Sequence, residues 1–131
     1  MGFFRLFAKR WPNSTIPYEI DPLLKAVGLE SIIQDGINMW TSACPFLMFI
    51  PRNPVIHKNW IRFVWSAYKP PGVCSSSLGM QGGEQTITCS PFPVPGPFAS
   101  TIAHEIGHAL GLYHEHQIGR ASCRERVCHR V

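Results

Sequence analysis

Residues 104–114 read HEIGHALGLYH, and this stretch decides which fold and which site the chain can build. His104 and His108 are four residues apart, so on a helix both imidazoles lie on one face. Both rings can then reach one zinc ion at about 2.0–2.1 Å. Glu105 follows the first histidine and can hold a water molecule without occupying the metal. The spacing therefore predicts Zn²⁺ bound on a helix.

Gly111 and His114 extend the pattern toward a site with three histidines. Glycine accepts the left-handed backbone conformation that ends a helix and turns the chain, so His114 can return to the same ion from another direction. Three protein ligands leave one position for water, which marks a catalytic rather than a structural zinc. A bare His-Glu-x-x-His also occurs by chance on helices, and the added glycine and histidine argue against that alternative.

Around this motif the chain resembles the metzincin zinc peptidases and, among them, the astacin family. Glu115, directly after the third histidine, is the residue type that the astacin signature has there. The resemblance covers residues 11–117. Its other segments are Trp11-Pro12-Asn13, Ile16-Pro17-Tyr18, Cys44-Pro45-Phe46 and Phe49-Ile50-Pro51-Arg52.

The resemblance implies a zinc-dependent endopeptidase that hydrolyses internal peptide bonds of polypeptide substrates. The chain as given, without the second half of that domain, is expected to be inactive. His104, His108 and His114 would hold one Zn²⁺, and Glu105 would be the catalytic base. Glu115 would receive the buried N-terminus of a processed chain, with a plain surface carboxylate as the alternative. Two rival interpretations stay open: a non-catalytic fragment that binds zinc, and another metzincin with a shortened domain, against which Glu115 argues.

The fold that the resemblance implies is α+β and zincin-like. Its N-terminal subdomain contains a small mixed sheet, a long first helix and a zinc-site helix. The C-terminal subdomain, with the family's methionine turn and a tyrosine near the metal, is expected to be missing, because neither feature follows residue 117.

Three segments are expected along the chain. Residues 1–10 are interpreted as a residual pro-segment or leader, and residues 11–117 as a partial peptidase domain. Residues 118–127 resemble the translation of a sequencing-library adapter, so residues 118–131 are interpreted as a non-native tail. An unusual natural basic tail is the alternative.

Cysteine usage favours an oxidising compartment and therefore a secreted or extracellular protein. By position, Cys74 and Cys89 match one disulfide of the astacin domain. Cys44 matches another half-cystine, whose partner is expected in the missing part. Free cytosolic thiols are the alternative.

The composition argues against two classes of partner. The formal net charge is +4, but four of the 12 basic residues lie in residues 118–131, so the basic balance does not indicate nucleic acid. No run of about 18 apolar residues occurs, so no membrane span is predicted.

Hydrophobic patterning predicts strands over 16–20, 46–50, 60–65 and 85–89, a helix over 22–44 and a loop over 66–83. Pro22 suits the first turn of that helix, whereas Gly28 and Gly36 weaken it. Ser100 or Thr101 is expected to cap the site helix. The strand over 85–89 is expected to pair with an extended substrate.

Other side chains are assigned to the interior or the surface. Trp40, Trp60 and Trp65 are expected in the core, and His57 and His116 are expected at the surface.

Overall fold

The computed structural model describes residues 10–66, 74–77, 79–90 and 99–111. The expected leader, apart from Arg10, and the expected tail lie outside the described residues. The α+β class with one small mixed sheet is confirmed, and none of the described helices is long and apolar enough to cross a membrane. In chain order the elements are a short turn Pro12–Ser14, β1 Thr15–Ile20, α1 Pro22–Ala26, α2 Glu30–Ala43, β2 Met48–Pro51, β3 Trp60–Trp65, β4 Cys74–Ser76, β5 Glu84–Cys89 and α3 Ala99–Ala109.

The strand order in the sheet is β2-β1-β3-β5-β4. β1 pairs in parallel with β2 and β3, and β3 pairs in parallel with β5. β4 runs antiparallel to β5 and forms the edge of the described sheet on that side. β5 is therefore an interior strand, so our prediction that it pairs with a substrate is wrong. β4 itself lies within residues 66–83, which were predicted as loop.

The helical run predicted over residues 22–44 is divided in two. The Leu23 N–H donates to the Asp21 carboxylate at 2.9 Å, which caps α1, and Pro22 stands in the first turn as predicted. Gly28 has a φ of 81°, a left-handed conformation that cannot continue a right-handed helix. The prediction of a single helix is therefore wrong at Gly28, and the 14-residue α2 is the long first helix.

The core lies between one face of the sheet and the helices. Buried residues alternate with more exposed ones along β3 and β5, because successive side chains of a strand point to opposite faces. Full burial of one such side chain stabilises the fold by about 1.5–3 kcal/mol, so this cluster holds α3 in place. Its fully buried members are Ile16, Leu24, Ile33, Cys44, Ile61, Phe63, Ile87, Cys89, Ile102 and Ile106.

α2 and α3 approach closely at Gly36. A Cβ atom at Gly36 would lie 2.7 Å from Ile102 Cγ2 and 3.2 Å from the Ala103 backbone nitrogen. Glycine costs about 1 kcal/mol of helix propensity relative to alanine, and here it allows the two helices to touch directly beside His104.

A disulfide joins Cys74 of β4 to Cys89 of β5, which is the pairing that the resemblance implied. The two residues are direct partners in the antiparallel pair, so the bond fastens the edge strand to the sheet. Cys44 is also disulfide-bonded. Our expectation that the chain lacks a partner for Cys44 is therefore wrong.

The opposite face of the sheet carries an ion-pair cluster centred on Arg62. Its guanidinium nitrogens lie 2.7 Å from a Glu19 oxygen and 3.1 Å from an Asp21 oxygen. The pKa of Asp21 is lowered, chiefly by the hydrogen bond from the Leu23 N–H, with burial opposing and Arg62 assisting. Burial by itself raises the pKa of Glu19, but hydrogen bonds from Arg62 and Arg52 outweigh it, so that pKa is lowered as well.

Candidate metal centre

α3 places the first two predicted zinc ligands one turn apart. The rings of His104 and His108 meet edge to face, with their centroids 4.7 Å apart. The helix begins at Ala99, before both Ser100 and Thr101, so neither residue is its N-cap and that prediction is wrong. The two histidines therefore share one helix face, as the four-residue spacing predicted.

The imidazoles of His104 and His108 converge through their Nε2 atoms, which lie 3.1 Å apart. Two nitrogens bound to one tetrahedral zinc at about 2.0–2.1 Å are themselves separated by about 3.3 Å. The observed separation is therefore close to that of a pair sharing one ion. The same distance also suits an N–H···N hydrogen bond between one protonated and one unprotonated nitrogen. The residue beside the two imidazoles therefore helps to distinguish a metal site from a simple hydrogen bond.

Glu105 lies directly beside the two imidazoles. The candidate ligand atoms of His104, Glu105 and His108 all lie within 4.8 Å of one another. Glu105 is only 7% exposed, and a buried carboxylate is stable only with a positive or hydrogen-bonding neighbour. Two converging imidazoles are ligands that zinc accepts, and the carboxylate beside them is placed to bind a water molecule that the ion would hold. The described residues therefore fit the ion that the motif predicts.

Two tryptophans hold α3 on either side of its histidines. The Trp40 indole N–H donates to the Ala103 carbonyl at 2.7 Å, and the Trp11 indole N–H donates to the Ala109 carbonyl at 2.9 Å. Both side chains are buried, so the predicted core position of Trp40 is confirmed. Their hydrogen bonds could not be foreseen, because the acceptors lie 63 and 98 residues away in sequence.

The segment before β5 provides another anchor. The Gly79 N–H donates to the His108 carbonyl at 2.7 Å. Gln85, which is buried on β5, binds this segment through its side-chain amide. Its Nε2 donates to the Gly79 carbonyl at 2.9 Å, and its Oε1 accepts from the Gln81 N–H at 2.8 Å. The sequence offered one signal for this arrangement, a polar side chain at an inward position of a strand.

The chain turns after the second histidine as the motif predicted. Gly111 has a φ of 104°, and its N–H donates to the His108 carbonyl at 2.9 Å. His114, Glu115 and His116 lie outside the described residues. The third zinc ligand therefore stays a prediction.

Three residues are buried to a different extent than the sequence predicted. Trp65 is 37% exposed, so its predicted core position is wrong, and Trp60 is half-buried. His57 is half-buried rather than exposed, because its Nδ1 accepts a hydrogen bond from the Asn53 N–H at 2.7 Å. None of these residues belongs to the His104–Glu105–His108 group.

Comparison with known proteins points to one group of peptidases. A family model described as Astacin, a peptidase family, matches residues 4–122, a range that contains residues 11–117. The dorsal-ventral patterning protein tolloid of Drosophila melanogaster is 32% identical over 117 residues, which are 85% of this chain and 10% of that protein. Zinc metalloproteinase nas-4 of Caenorhabditis elegans is 31% identical over 108 residues, or 82% of this chain and 31% of that protein.

Solved structures give the same picture. High choriolytic enzyme 1, a hatching enzyme zinc-protease from Oryzias latipes, superposes with a TM-score of 0.65 at 27% identity, covering 83% of this chain and 50% of that one. Myroilysin, with a TM-score of 0.51 at 23% identity, shares the fold alone. The chain thus spans about half the length of the solved hatching enzyme and about a third or less of the two curated relatives.

Proposed function

We propose, on the premise that this chain belongs to the astacin family of peptidases, that it hydrolyses internal peptide bonds of polypeptides with the help of zinc. One observation carries the proposal: the His104 and His108 Nε2 atoms converge to 3.1 Å beside the buried Glu105. Membership of this family removes the alternative that the chain is another kind of metzincin.

His104 and His108 would hold the zinc ion, with His114 as the third ligand. When bound, zinc lowers the pKa of the water that it holds to about 7 and polarises the carbonyl of the scissile peptide bond. The chain's part is to keep the ligands rigid. The anchors on the Ala103, His108 and Ala109 carbonyls support this role, since they fix the helix segment that carries the first two ligands.

Glu105 would act as the proton carrier. Its carboxylate accepts a proton from the water that attacks the scissile carbonyl carbon, and the C–N bond then breaks as Glu105 returns the proton to the leaving amine nitrogen. Water is thereby divided between a new carboxyl group and a new amino group. The burial of Glu105 supports this assignment, because a carboxylate shielded from bulk water exchanges its proton with the reacting groups rather than with solvent.

β4 is the strand through which an extended substrate would pair with the sheet. Within the described sheet it has a neighbour on one side only, which is β5. Soon after β4, the Gly79 N–H contacts the His108 carbonyl. A polypeptide added beside β4 would therefore run close to the zinc ligands.

Disulfide bonding fits an oxidising compartment, and we extend this to secretion or an extracellular location. We also keep residues 11–117 as the peptidase part of the chain. Sequencing the transcript beyond the codon for Gln117 tests the interpretation of residues 118–131, because an astacin-like continuation would identify those residues as foreign.

The decisive experiment compares Glu105→Gln with Glu84→Gln in the full-length protein. Glu84 is 44% exposed and lies at the start of β5, away from the site. Glu105→Gln should keep bound zinc but lower the rate of peptide hydrolysis on the order of 10²–10⁴-fold, the usual contribution of a positioned acid–base group. Glu84→Gln should match the wild type in both measurements.

The same experiment separates catalysis from mere zinc binding. A wild-type protein that contains one zinc per chain but cleaves no peptide in a mixed library would support the non-catalytic interpretation. Unchanged zinc content in His108→Ala would refute the assignment of the ligands.

A further inference from the structure

The turn before β1 contains a sequence pattern for covalent modification. Residues 13–15 read Asn13-Ser14-Thr15, the Asn-x-Thr pattern in which asparagine accepts an N-linked glycan when the middle residue is not proline. We propose that Asn13 is N-glycosylated. This inference depends on the proposed secretion, because only proteins that enter the secretory pathway meet the glycan donor.

The local geometry favours Asn13 as an acceptor. Asn13 has φ 58° and ψ 24°, Ser14 has φ 53°, and the Thr15 N–H returns to the Pro12 carbonyl. These features match a type I′ turn, in which asparagine is favoured because it tolerates the left-handed conformation. Asn13 is exposed, so a glycan on its side chain projects into solvent without displacing any of the core.

The neighbouring contacts explain why the glycan is compatible with the site. Two residues before Asn13, the buried Trp11 indole is bonded to the Ala109 carbonyl. The Thr15 hydroxyl donates to the Asn13 backbone carbonyl at 3.1 Å, on the exposed side of the turn. The side chain that would carry the glycan is exposed, whereas the Trp11 side chain that anchors α3 is buried.

The modification is a glycosyl transfer from a lipid-diphosphate oligosaccharide. The Asn13 Nδ2 forms a bond to the anomeric carbon of the first sugar as the bond from that carbon to the diphosphate oxygen breaks. The amide nitrogen loses one proton, and the lipid diphosphate leaves with the electron pair. No oxidation or reduction is involved.

Secretion of the full-length protein from a eukaryotic host tests the proposal with a matched pair of variants. Thr15→Ser keeps the acceptor pattern, whereas the nearly isosteric Thr15→Val removes only the hydroxyl that the pattern requires. The wild type and Thr15→Ser should gain gel mobility after treatment with peptide-N-glycosidase, and mass spectrometry should then find the Asn13 peptide converted to aspartate. Thr15→Val and Asn13→Gln should show neither change at this position.

The outcome is separable from that of the proposed function. Zinc content and peptide cleavage should be the same in wild type and Thr15→Val, since the Thr15 hydroxyl bonds within the turn, to the Asn13 carbonyl. A secreted, zinc-loaded protein with unmodified Asn13 would overturn the glycosylation site and leave the peptidase proposal standing. A protein that is never secreted would overturn both the site and the proposed location.

A separate observation concerns Gln85. Its side chain is buried, and both ends of its amide are used, with Nε2 donating to the Gly79 carbonyl and Oε1 accepting from the Gln81 N–H. The Gly79 N–H in turn holds the His108 carbonyl at 2.7 Å. We infer that Gln85 is a positioning residue for the ligand His108, acting through Gly79; this inference rests on the proposed zinc site.

The physical argument is that Gln85 fixes a donor which would otherwise move. Gly79 has a φ of 70°, and glycine has more backbone freedom than any other residue. Gln85 joins this segment to β5 through both ends of its amide, and these two bonds hold the Gly79 N–H toward α3. Residues behind metal ligands commonly change metal affinity by about 10–100-fold when they are lost.

The experiment compares Gln85→Met with Ile87→Val in the full-length protein. Both residues point into the same face of β5 and are buried, so both variants should lower the thermal midpoint. Gln85→Met should also weaken zinc binding about 10-fold in a chelator competition and alter the visible spectrum of the cobalt-substituted protein. Ile87→Val should change neither metal property.

A second readout does not need the metal. In the metal-free protein, Gln85→Met should speed hydrogen exchange at the Gly79 amide more than Ile87→Val does. Equal zinc affinity and equal Gly79 exchange in the two variants would overturn the positioning role. Failure of the wild type to bind zinc would refute the proposed function instead, with Gly79 exchange still reporting on Gln85.

Discussion

The contact between α2 and α3 gives a prediction whose sign depends on the structure. In an exposed helix interior, replacing glycine by alanine stabilises a protein by about 1 kcal/mol through helix propensity. At Gly36 the new Cβ would lie 2.7 Å from Ile102 Cγ2 and 2.9 Å from Ile102 Cβ. The branched Cβ of Ile102 cannot rotate away, so α3 must move, and overpacking of this kind costs about 1–3 kcal/mol. We therefore expect Gly36→Ala to destabilise the protein by about 1–2 kcal/mol.

Urea unfolding of the metal-free, full-length protein measures this effect. Asn38→Ala is the matched control, since Asn38 is exposed on the same helix and should gain a few tenths of a kcal/mol from propensity. In an Ile102→Ala background, which removes Cγ2, the cost of Gly36→Ala should shrink, as a double-mutant cycle would show. Stabilisation by Gly36→Ala in the wild-type background would refute the close packing of the two helices beside His104.

Three further predictions concern the parts that support the site. Cys89→Ser should lower the free energy of unfolding by about 3 kcal/mol, because its disulfide closes a loop of 15 residues; calorimetry under non-reducing conditions measures it. Because the pKa values of Glu19 and Asp21 are lowered, their contribution to stability should be complete above the ordinary values of 4.5 and 3.8 and should be lost as the pH falls through the lowered ones. Arg62→Met should flatten that acid dependence in pH-dependent urea titrations, and an unchanged slope would contradict the ion-pair assignment. Trp11→Phe should cost about 1–3 kcal/mol, since it leaves a buried carbonyl without its donor, and amide exchange in α3 should rise; unaltered exchange there would argue against the anchor.

Local patterns were sufficient for most of the described strands and for the site helix. β3 matches its predicted range of residues 60–65, and β1 and β5 each gain one residue at the start. The histidine spacing predicted a helix that turns at Gly111, and the positive φ there is observed. These features depend on short-range periodicity and on the conformational freedom of a single glycine, which the sequence displays directly.

The misses have a common cause, which is dependence on contacts distant in sequence. β4 is three residues long in a segment rich in glycine and proline, and it is a strand because β5 and the disulfide hold it there. The sequence indicated that Gly28 weakens the helix predicted over residues 22–44. Whether the helix continues through a glycine depends on how the flanking segments pack, which the local pattern does not contain. The roles of Gln85 and Trp11 depend on acceptors that the folded chain brings to them.

The bond between Trp11 and Ala109 has a consequence for synthesis of the chain. The two residues are 98 positions apart, and ribosomes add about 5–20 residues per second. Trp11 therefore emerges about 5–20 s before its acceptor exists, with its indole unable to take its final place. During that interval the nascent N-terminal segment leaves the Trp11 side chain without its final partner. α3 can be anchored at its C-terminal end only after Ala109 has left the exit tunnel. Assembly of the site helix is thus a late event, and variants that slow docking of Trp11 should lower the yield of folded protein before they alter the finished site.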